Sequence, residues 1–357
     1  MSAKQEFQFL ALLVHRSQLE RSEAEELVPR LKEGEALDDL LMEVLGKDEA
    51  WVRRMRRTQG GEIPEIPGYE VLGRAGTGGT ADVFRVREKK TGRILALKVL
   101  NPKSTRSDAE RKAFISEARL LESLSHPGLV AGAGVARSAS TYFSRMEYIE
   151  GATMLEVIDR GDALEESAAL RIILEVAEVL RYLHSEGVIH RDVKPGNIML
   201  SSGGHVKLID LGFAAQEEAS SNPTDSAVGT VAYLSPEQAR GGAVADLRSD
   251  IYSMGVTLFQ LVVGRLPFDS SDDREVLRMQ VMESLSSPEL KGRAISPHLH
   301  YFIEKMMAKD KDVRYQSWEE LVDDIRSQLK GRETLDYGRA PSTRTSRRRG
   351  PSPGRRR

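Results

Sequence analysis

The chain has 357 residues, enough for two domains, with 40% apolar and 30% charged residues, an ordinary balance for a soluble globular protein. It contains no cysteine, which excludes disulfides, cysteine nucleophiles and zinc–thiolate centres, and no apolar run reaches the ~18 residues of a membrane-spanning helix. The net charge of −2 hides an asymmetry: nine arginines against two acids, Glu333 and Asp336, set the stretch from Gly331 at +7 and leave the remainder at −9. The polar start, Met1 to Glu6, and the short apolar stretch Phe9 to Val14 do not make a secretion signal. A cytoplasmic location is therefore expected.

Residues 1–59 are predicted to be helical, because Leu27, Leu31, Leu37, Leu40, Leu41, Val44 and Leu45 recur at three-to-four spacing. Ser22 with Glu25 suits a capping box for the second helix, and Asp48 suits the cap of another that carries Val52 and Met55. Residues 60–68, with three glycines and two prolines, break any helix and read as a linker. The long globular body covers 69–329. Its first part alternates like strands: Val83, Phe84 and Val86, then Ile94, Ala96, Leu97 and Val99, with a turn near Thr91-Gly92. Its later part is helical. Leu170, Ile173, Leu174, Ala177, Leu180 and Leu183 line one face of a helix that leads into His190, and Ile251, Met254, Leu258, Leu261 and Val262 line another. Residues 330–357, rich in Arg, Ser, Pro and Gly, are expected to be a disordered basic tail.

The chemistry is concentrated in His190-Arg191-Asp192-Val193-Lys194-Pro195-Gly196-Asn197, followed by Asp210-Leu211-Gly212. One base, one cation and two metal-binding groups lie within about twenty residues, the set that moves a phosphoryl group from ATP to a hydroxyl. Asp192 suits the general base, and Lys194 suits charge neutralisation on the transferring group. The amide oxygen of Asn197 and the carboxylate of Asp210 suit Mg²⁺. Upstream, Gly76-Thr77-Gly78-Gly79-Thr80-Ala81-Asp82-Val83 fits a glycine-rich turn between two strands that presents backbone N–H groups to phosphates. It is not a Walker A loop, since no Gly-Lys-Ser/Thr ends it. Lys98 sits between apolar neighbours on a predicted strand, where a charge is costly unless paired.

At these residues the chain resembles the eukaryotic-like, bacterial-type serine/threonine protein kinases, over 69–329. The resemblance implies an α+β fold of two lobes, a small β-rich lobe and a larger helical lobe, with nucleotide in the cleft between them, behind an N-terminal helical extension. It implies that Lys98 holds the α- and β-phosphates of ATP and pairs with Glu117, with Glu110 and Glu122 as rivals. Gly76, Gly78 and Ala81, which replaces the third glycine, would cover the phosphates. Val83, Ala96 and Met199 would sandwich adenine, and Met146-Glu147-Tyr148-Ile149 would form the hinge, with Glu147 and Ile149 reading the adenine edge. Lys194 marks serine/threonine specificity, and Leu211 replaces the usual Phe. His190 becomes a packing residue, Asp250 a support for the catalytic loop, and Glu237 a partner of Arg314.

Ser220, Ser221, Thr224 and Ser226 lie in a polar segment that a phosphate could order against Arg191, with Thr224 or Ser226 as the expected autophosphorylation sites. Thr230 would contact Asp192 and Lys194. Protein substrates are the expected partners. Residues 1–59 suit docking or self-association, through themselves or with the kinase body. Clustered arginine in the tail favours nucleic acid or an anionic surface, but without interleaved aromatics the tail reads first as solvated chain. A pseudokinase scaffold is the alternative; it would be favoured by loss of Lys98, Asp192, Asn197 or Asp210, and all four are present.

Overall fold

The leucine spacing before residue 60 folds as four helices, α1 (Ala3–His15), α2 (Arg21–Lys32), α3 (Leu37–Glu43) and α4 (Glu49–Gln59). The computed structural model describes residues 3–15, 18–59, 64–139, 141–161, 163–211, 214, 231–241, 245–285 and 295–337. Phe9, Leu13, Leu27, Leu31, Leu37, Leu40, Val52 and Met55 meet in one cluster. Each buried side chain of this size contributes ~1.5–3 kcal/mol, so the four helices share an apolar core of their own. Arg56 ties it together: its Nε donates to Asp38 Oδ1 at 2.6 Å, it pairs with Glu6, and its guanidinium carbon lies 4.4 Å from the Phe9 ring centre. Asp48 caps α4, its Oδ1 accepting the Trp51 N–H at 2.6 Å. The Ser22–Glu25 box does not form. Instead α2 begins at Arg21, which places Ser22 inside the helix, and the Glu23 carboxylate accepts the Glu20 N–H at 2.6 Å.

Alternation then builds an antiparallel sheet of β1 (Tyr69–Thr77), β2 (Ala81–Glu88), β3 (Ile94–Leu100), β4 (Gly132–Ser138) and β5 (Thr141–Glu147), in the order β1-β2-β3-β5-β4. Gly92, at φ 74°, turns β2 into β3. With period two, one face carries Phe84, Val86, Leu95, Leu97, Val99 and Phe143 into a core, and Ile66, within the predicted linker, is buried among them. The register puts Ala81, Val83, Ala96, Lys98 and Met146 on the opposite face. After a short α5 (Pro102–Thr105), α6 (Asp108–Ser123) packs against β4. These elements belong to a first compact unit, Met1–Glu150.

The second unit begins at Gly151. Its sheet is small and antiparallel: β6 (Gly151–Thr153), β7 (Ile198–Ser201) and β8 (Val206–Leu208). Its helices are α7 (Met154–Asp159), α8 (Glu166–Ser185), α9 (Pro236–Arg240), α10 (Leu247–Val263), α11 (Asp273–Met282), α12 (Pro297–Met306) and α13 (Trp318–Tyr337). The predicted stripe of α8 is buried, apart from half-buried Leu174.

For α10 the one-sided expectation falls short: every residue from Ser249 to Val263 is buried. Contacts with α8, α12 and the turn Val231–Tyr233 surround it. Its polar members survive burial because each is bonded. Ser249 Oγ donates to Glu237 Oε1 at 2.8 Å, Ser253 Oγ to the Tyr233 carbonyl at 2.7 Å, and Thr257 Oγ1 to the Ser253 carbonyl at 2.9 Å. At Gly255 a Cβ would lie 2.8 Å from both Met306 Cβ and Met307 Cγ, so only a glycine lets the two segments meet. Helix α13 runs on to Tyr337, past the start of the predicted tail; the rest of the tail lies outside the described residues. Among the described residues no helix is long and apolar enough to cross a membrane.

Candidate active site

In the first unit, the hairpin of β1 and β2 delivers the glycine-rich turn. Gly78 is required sterically, since a Cβ there would come 2.9 Å from the Ala81 carbonyl oxygen; at Gly76 the nearest atom, Val83 Cβ, is an ordinary 3.9 Å away. Ala81 fits because its methyl joins Leu100 and Phe114 in a small buried cluster. Asn101, just past β3, reaches back to the turn. Its Nδ2 donates to the Gly79 carbonyl at 3.1 Å and the Gly78 carbonyl at 3.4 Å, while its N–H donates to the Thr80 carbonyl at 2.9 Å.

Two residues of β3 further back in register, Lys98 pairs across the sheet with Val83 and Ala96 with Met146. The Lys98 ammonium meets Glu117 Oε1 of α6 at 2.6 Å, with side-chain exposures of 16% and 12%. The two rivals lie elsewhere. Glu110 sits in the first turn of α6, where its N–H is capped by Ser107 Oγ at 3.3 Å, and Glu122 packs its carboxylate against Gly134. Of the predicted hinge, Glu147 uses its side chain to accept the Ala131 N–H at 2.9 Å, while its own N–H donates to the Ala131 carbonyl at 2.9 Å. Ile149 follows two residues on, half-buried. The Arg145 Nε is buried without a hydrogen-bond partner among the described residues, and nothing in the structure explains the choice of arginine there.

In the second unit, α8 feeds the loop of Asp192. Asp250 of α10 holds that loop from beneath, its two oxygens accepting the His190 N–H at 2.9 Å and the Arg191 N–H at 2.7 Å. The clamp matters because Arg191 has φ 67°, a left-handed conformation that costs a non-glycine residue ~1–2 kcal/mol. His190 is buried, and its Nδ1 accepts the Asp192 N–H at 3.2 Å, so it orders the loop. Burial holds its imidazole below the ordinary range, which keeps it neutral.

Asp192 is 6% exposed. Its Oδ2 accepts from Asn197 Nδ2 at 2.9 Å and meets the Lys194 ammonium at 2.8 Å. Its Oδ1 is buried with no hydrogen-bond partner among the described residues. Burial raises its carboxyl above the ordinary value, helped by the charge of Asp210 and opposed by Lys194 and Asn197.

Asn197 Nδ2 also donates to the Asp192 carbonyl at 2.8 Å, so its amide oxygen is the end that can meet a cation. The Ile209 N–H donates to the Asn197 carbonyl at 3.0 Å, which brings Asp210 alongside. Among the described residues no group of three or more acidic or imidazole side chains converges. The donor set is thus one amide oxygen and one carboxylate. That fits Mg²⁺, which is commonly bound through one or two protein oxygens together with phosphates and water. Met199 lies on β7, paired with Lys207 and Thr153.

Glu237 and Arg314 form the predicted pair, bidentate at 2.7 and 2.9 Å, with the guanidinium fully buried. Ser235 caps α9 by accepting the Gln238 N–H at 3.4 Å, and Gln238 Nε2 reaches the Arg191 carbonyl at 3.3 Å. Leu211 is fully buried. Gly212, Ser220, Ser221, Thr224, Ser226, Gly229 and Thr230 lie outside the described residues. Sequence reading missed Asn101 and Gln238: each is a single amide in no motif, and its role depends on a backbone carbonyl far away in the chain.

A protein kinase domain model matches residues 69–324. A probable serine/threonine-protein kinase of Streptomyces coelicolor is 36% identical over 270 residues, covering 74% of this chain and 40% of that protein. The probable serine/threonine-protein kinase PknB of Lactococcus lactis is 36% identical over 259 residues, 72% of this chain and 41% of its own. Serine/threonine-protein kinase PrkC of Bacillus subtilis is 33% identical over 260 residues, covering 72% and 40%. The chain therefore spans about two fifths of the length of the curated relatives it matches.

Proposed function

The chain belongs to the protein kinase family, in its bacterial serine/threonine type, and from that premise we propose that it transfers the γ-phosphoryl group of ATP to serine or threonine hydroxyls of proteins. The observation that carries this is the asymmetry of Asp192: one oxygen is engaged by Lys194 and Asn197, the other is buried without a partner among the described residues. A carboxylate held in one rotamer with one oxygen in reserve is suited to accept a hydroxyl proton. Positioned bases of this kind contribute about 10²–10⁴-fold. As the Asp192 oxygen takes that proton, the acceptor oxygen bonds to the γ-phosphorus and the bond to ADP breaks. Lys194, two residues on, would carry positive charge to the group in transfer.

On the first unit, Lys98 is positioned by Glu117 to neutralise phosphate oxygens. Gly78 leaves room for backbone to approach them, and Val83, Ala96 and Met146 offer an apolar bed for a base. Asn197 and Asp210 would hold Mg²⁺, which when bound supplies charge neutralisation to the β- and γ-phosphates. A cytoplasmic location, where ATP is supplied, belongs to the same proposal. So does a docking or self-association role for α1–α4, which the separate core of those helices supports.

The test is label transfer from γ-labelled ATP to a generic acceptor protein, with phosphoamino-acid analysis. Transfer to Ser or Thr by the wild-type chain, abolished in Asp192→Ala with nucleotide binding retained, is the expected result. Nucleotide binding without any transfer by the wild type would favour a scaffold instead.

A further inference from the structure

The sheet face that carries Lys98 holds a second cation. The register sets Lys98 beside Val83 on one rung, and on the next rung of that face it sets Arg85 beside Ala96, itself beside Met146. A cation among apolar side chains is costly unless something offsets it. Lys98 has Glu117. Among the described residues Arg85 makes no ion pair, and its Nε is buried without a hydrogen-bond partner.

What holds Arg85 is a ring. Its guanidinium carbon lies 4.9 Å from the ring centre of Tyr148, inside the ~6 Å over which an aromatic face attracts a cation. The arginine stands on β2 and the tyrosine just past β5, with β3 running between those strands. At the usual spacing of neighbouring strands, the gap from β2 to β5 is roughly 10 Å. A long side chain from one side and a large ring from the other are needed to close it, and they must meet over something small. Ala96 of β3 is the residue in between. On its other side Arg85 pairs with Gly73 of β1, which has no side chain to compete for the guanidinium.

Both Arg85 and Tyr148 are half-buried, so the contact forms a strap at the rim of the apolar bed of Val83, Ala96 and Met146. Lys98 marks one end of that bed along β3, and the strap lies towards the other. Tyr148 stands between Glu147 and Ile149, so holding its ring restrains the backbone on both sides.

We propose that Arg85 is a positioning residue for the adenosine end of ATP: by stacking on Tyr148 it straps residues 147–149 to the sheet and fixes the wall that the base meets. The inference rests on the kinase reading above. It concerns the nucleoside, not the phosphates or the protein acceptor.

The experiment is titration calorimetry on the full chain with ADP, adenosine and tripolyphosphate, for wild type, Arg85→Met, Tyr148→Leu, Tyr148→Phe and the double variant of Arg85→Met with Tyr148→Leu. Arg85→Met keeps a stem and removes the cation, and Tyr148→Phe keeps the ring. The Kd for ADP and for adenosine should rise about fivefold in Arg85→Met and at least as much in Tyr148→Leu, and stay within about twofold of wild type in Tyr148→Phe. The double variant should bind no more weakly than Tyr148→Leu, because the arginine acts through the ring. Tripolyphosphate binding should be unchanged throughout. Wild-type affinity for adenosine in Arg85→Met, an equal loss for tripolyphosphate, or additive losses in the double variant would each overturn the proposal. So would loss of folding in both Arg85→Met and Tyr148→Leu, since it would assign the contact to the fold alone. No binding of ADP by the wild-type chain would overturn the kinase reading and this inference together, whereas wild-type binding that the variants leave unchanged overturns this inference only.

Discussion

Two ion pairs of the same formal chemistry stand in the two units and are built for different ends. Arg314–Glu237 is closed: the guanidinium has no exposure, both terminal nitrogens meet the carboxylate, and its remaining donors reach the carbonyls of Ala308, Arg248 and Lys309. Lys98–Glu117 is built on an ammonium instead, which meets Glu117 Oε1 at 2.6 Å at a half-buried site. A guanidinium is a rigid fork that locks a geometry, whereas an ammonium is a point charge on a flexible stem that can exchange partners. The forked pair suits architecture, and the ammonium suits exchange with the oxygens of a ligand.

The comparison breaks most visibly under deletion. Arg314→Met strands a buried Glu237 carboxylate and should cost about 3–5 kcal/mol, read as a lowered denaturant midpoint. If the midpoint does not move, the pair is not architectural. Lys98→Met should instead leave the midpoint nearly unchanged and lower transfer by about 10²–10³-fold, the scale of losing a preorganised charge; a variant that unfolds would erase the distinction.

Acid titration sharpens the contrast through two carboxyls whose shifts have opposite sign. Burial pushes the Glu237 carboxyl up, but the hydrogen bonds and charge of Arg314 outweigh it and hold the group below its ordinary 4.5. Its stabilisation is therefore complete above about pH 4.5 and is lost as pH falls through the folded value. The melting temperature should drop more steeply on acidification in wild type than in Glu237→Gln. Asp192 is raised from 3.8, so its ionisation costs stability as pH rises through the folded value. If it is the base, the acid limb of kcat/KM for the acceptor should lie above pH 3.8. The smallest expected effect is at Asn101: Asn101→Ala frees the glycine turn and should raise the KM for ATP about threefold, with peptide KM unchanged.

The loop of Asp192 was legible in the sequence because its polar groups are nearly contiguous: Asp192, Lys194 and Asn197 lie within six positions, and the structure brings Lys194 and Asn197 onto the Asp192 carboxylate. Lys98 was legible for a different reason, since a charge on an apolar strand demands a partner. Periodicity also placed the strands and the buried stripe of α8. It fell short at α10, where the predicted single apolar face turns out to be burial all round, with Ser249 and Ser253 bonded to Glu237 and Tyr233. The capping pattern failed at Ser22, since the helix starts at Arg21 and Glu20 with Glu23 takes the cap two residues earlier. Asn101 and Gln238 were invisible because an amide that serves a remote carbonyl leaves no local pattern.

The glycine at 255 carries a consequence for how this unit can vary. The side chains of Met306 and Met307, at the end of α12, press on α10 there, and the chain leaving α12 soon supplies Lys309 and Arg314. A methyl at that point would act as a wedge, tilting the lever on which both cations are mounted. Lys309 donates to the Tyr252 hydroxyl of α10 at 3.0 Å and Arg314 pairs with Glu237 of α9 at 2.7 Å, so the two grips would slip together. One hydrogen atom thus keeps time for two separate fastenings, and drift at this position is closed unless the segment of Met306 and Met307 shifts with it.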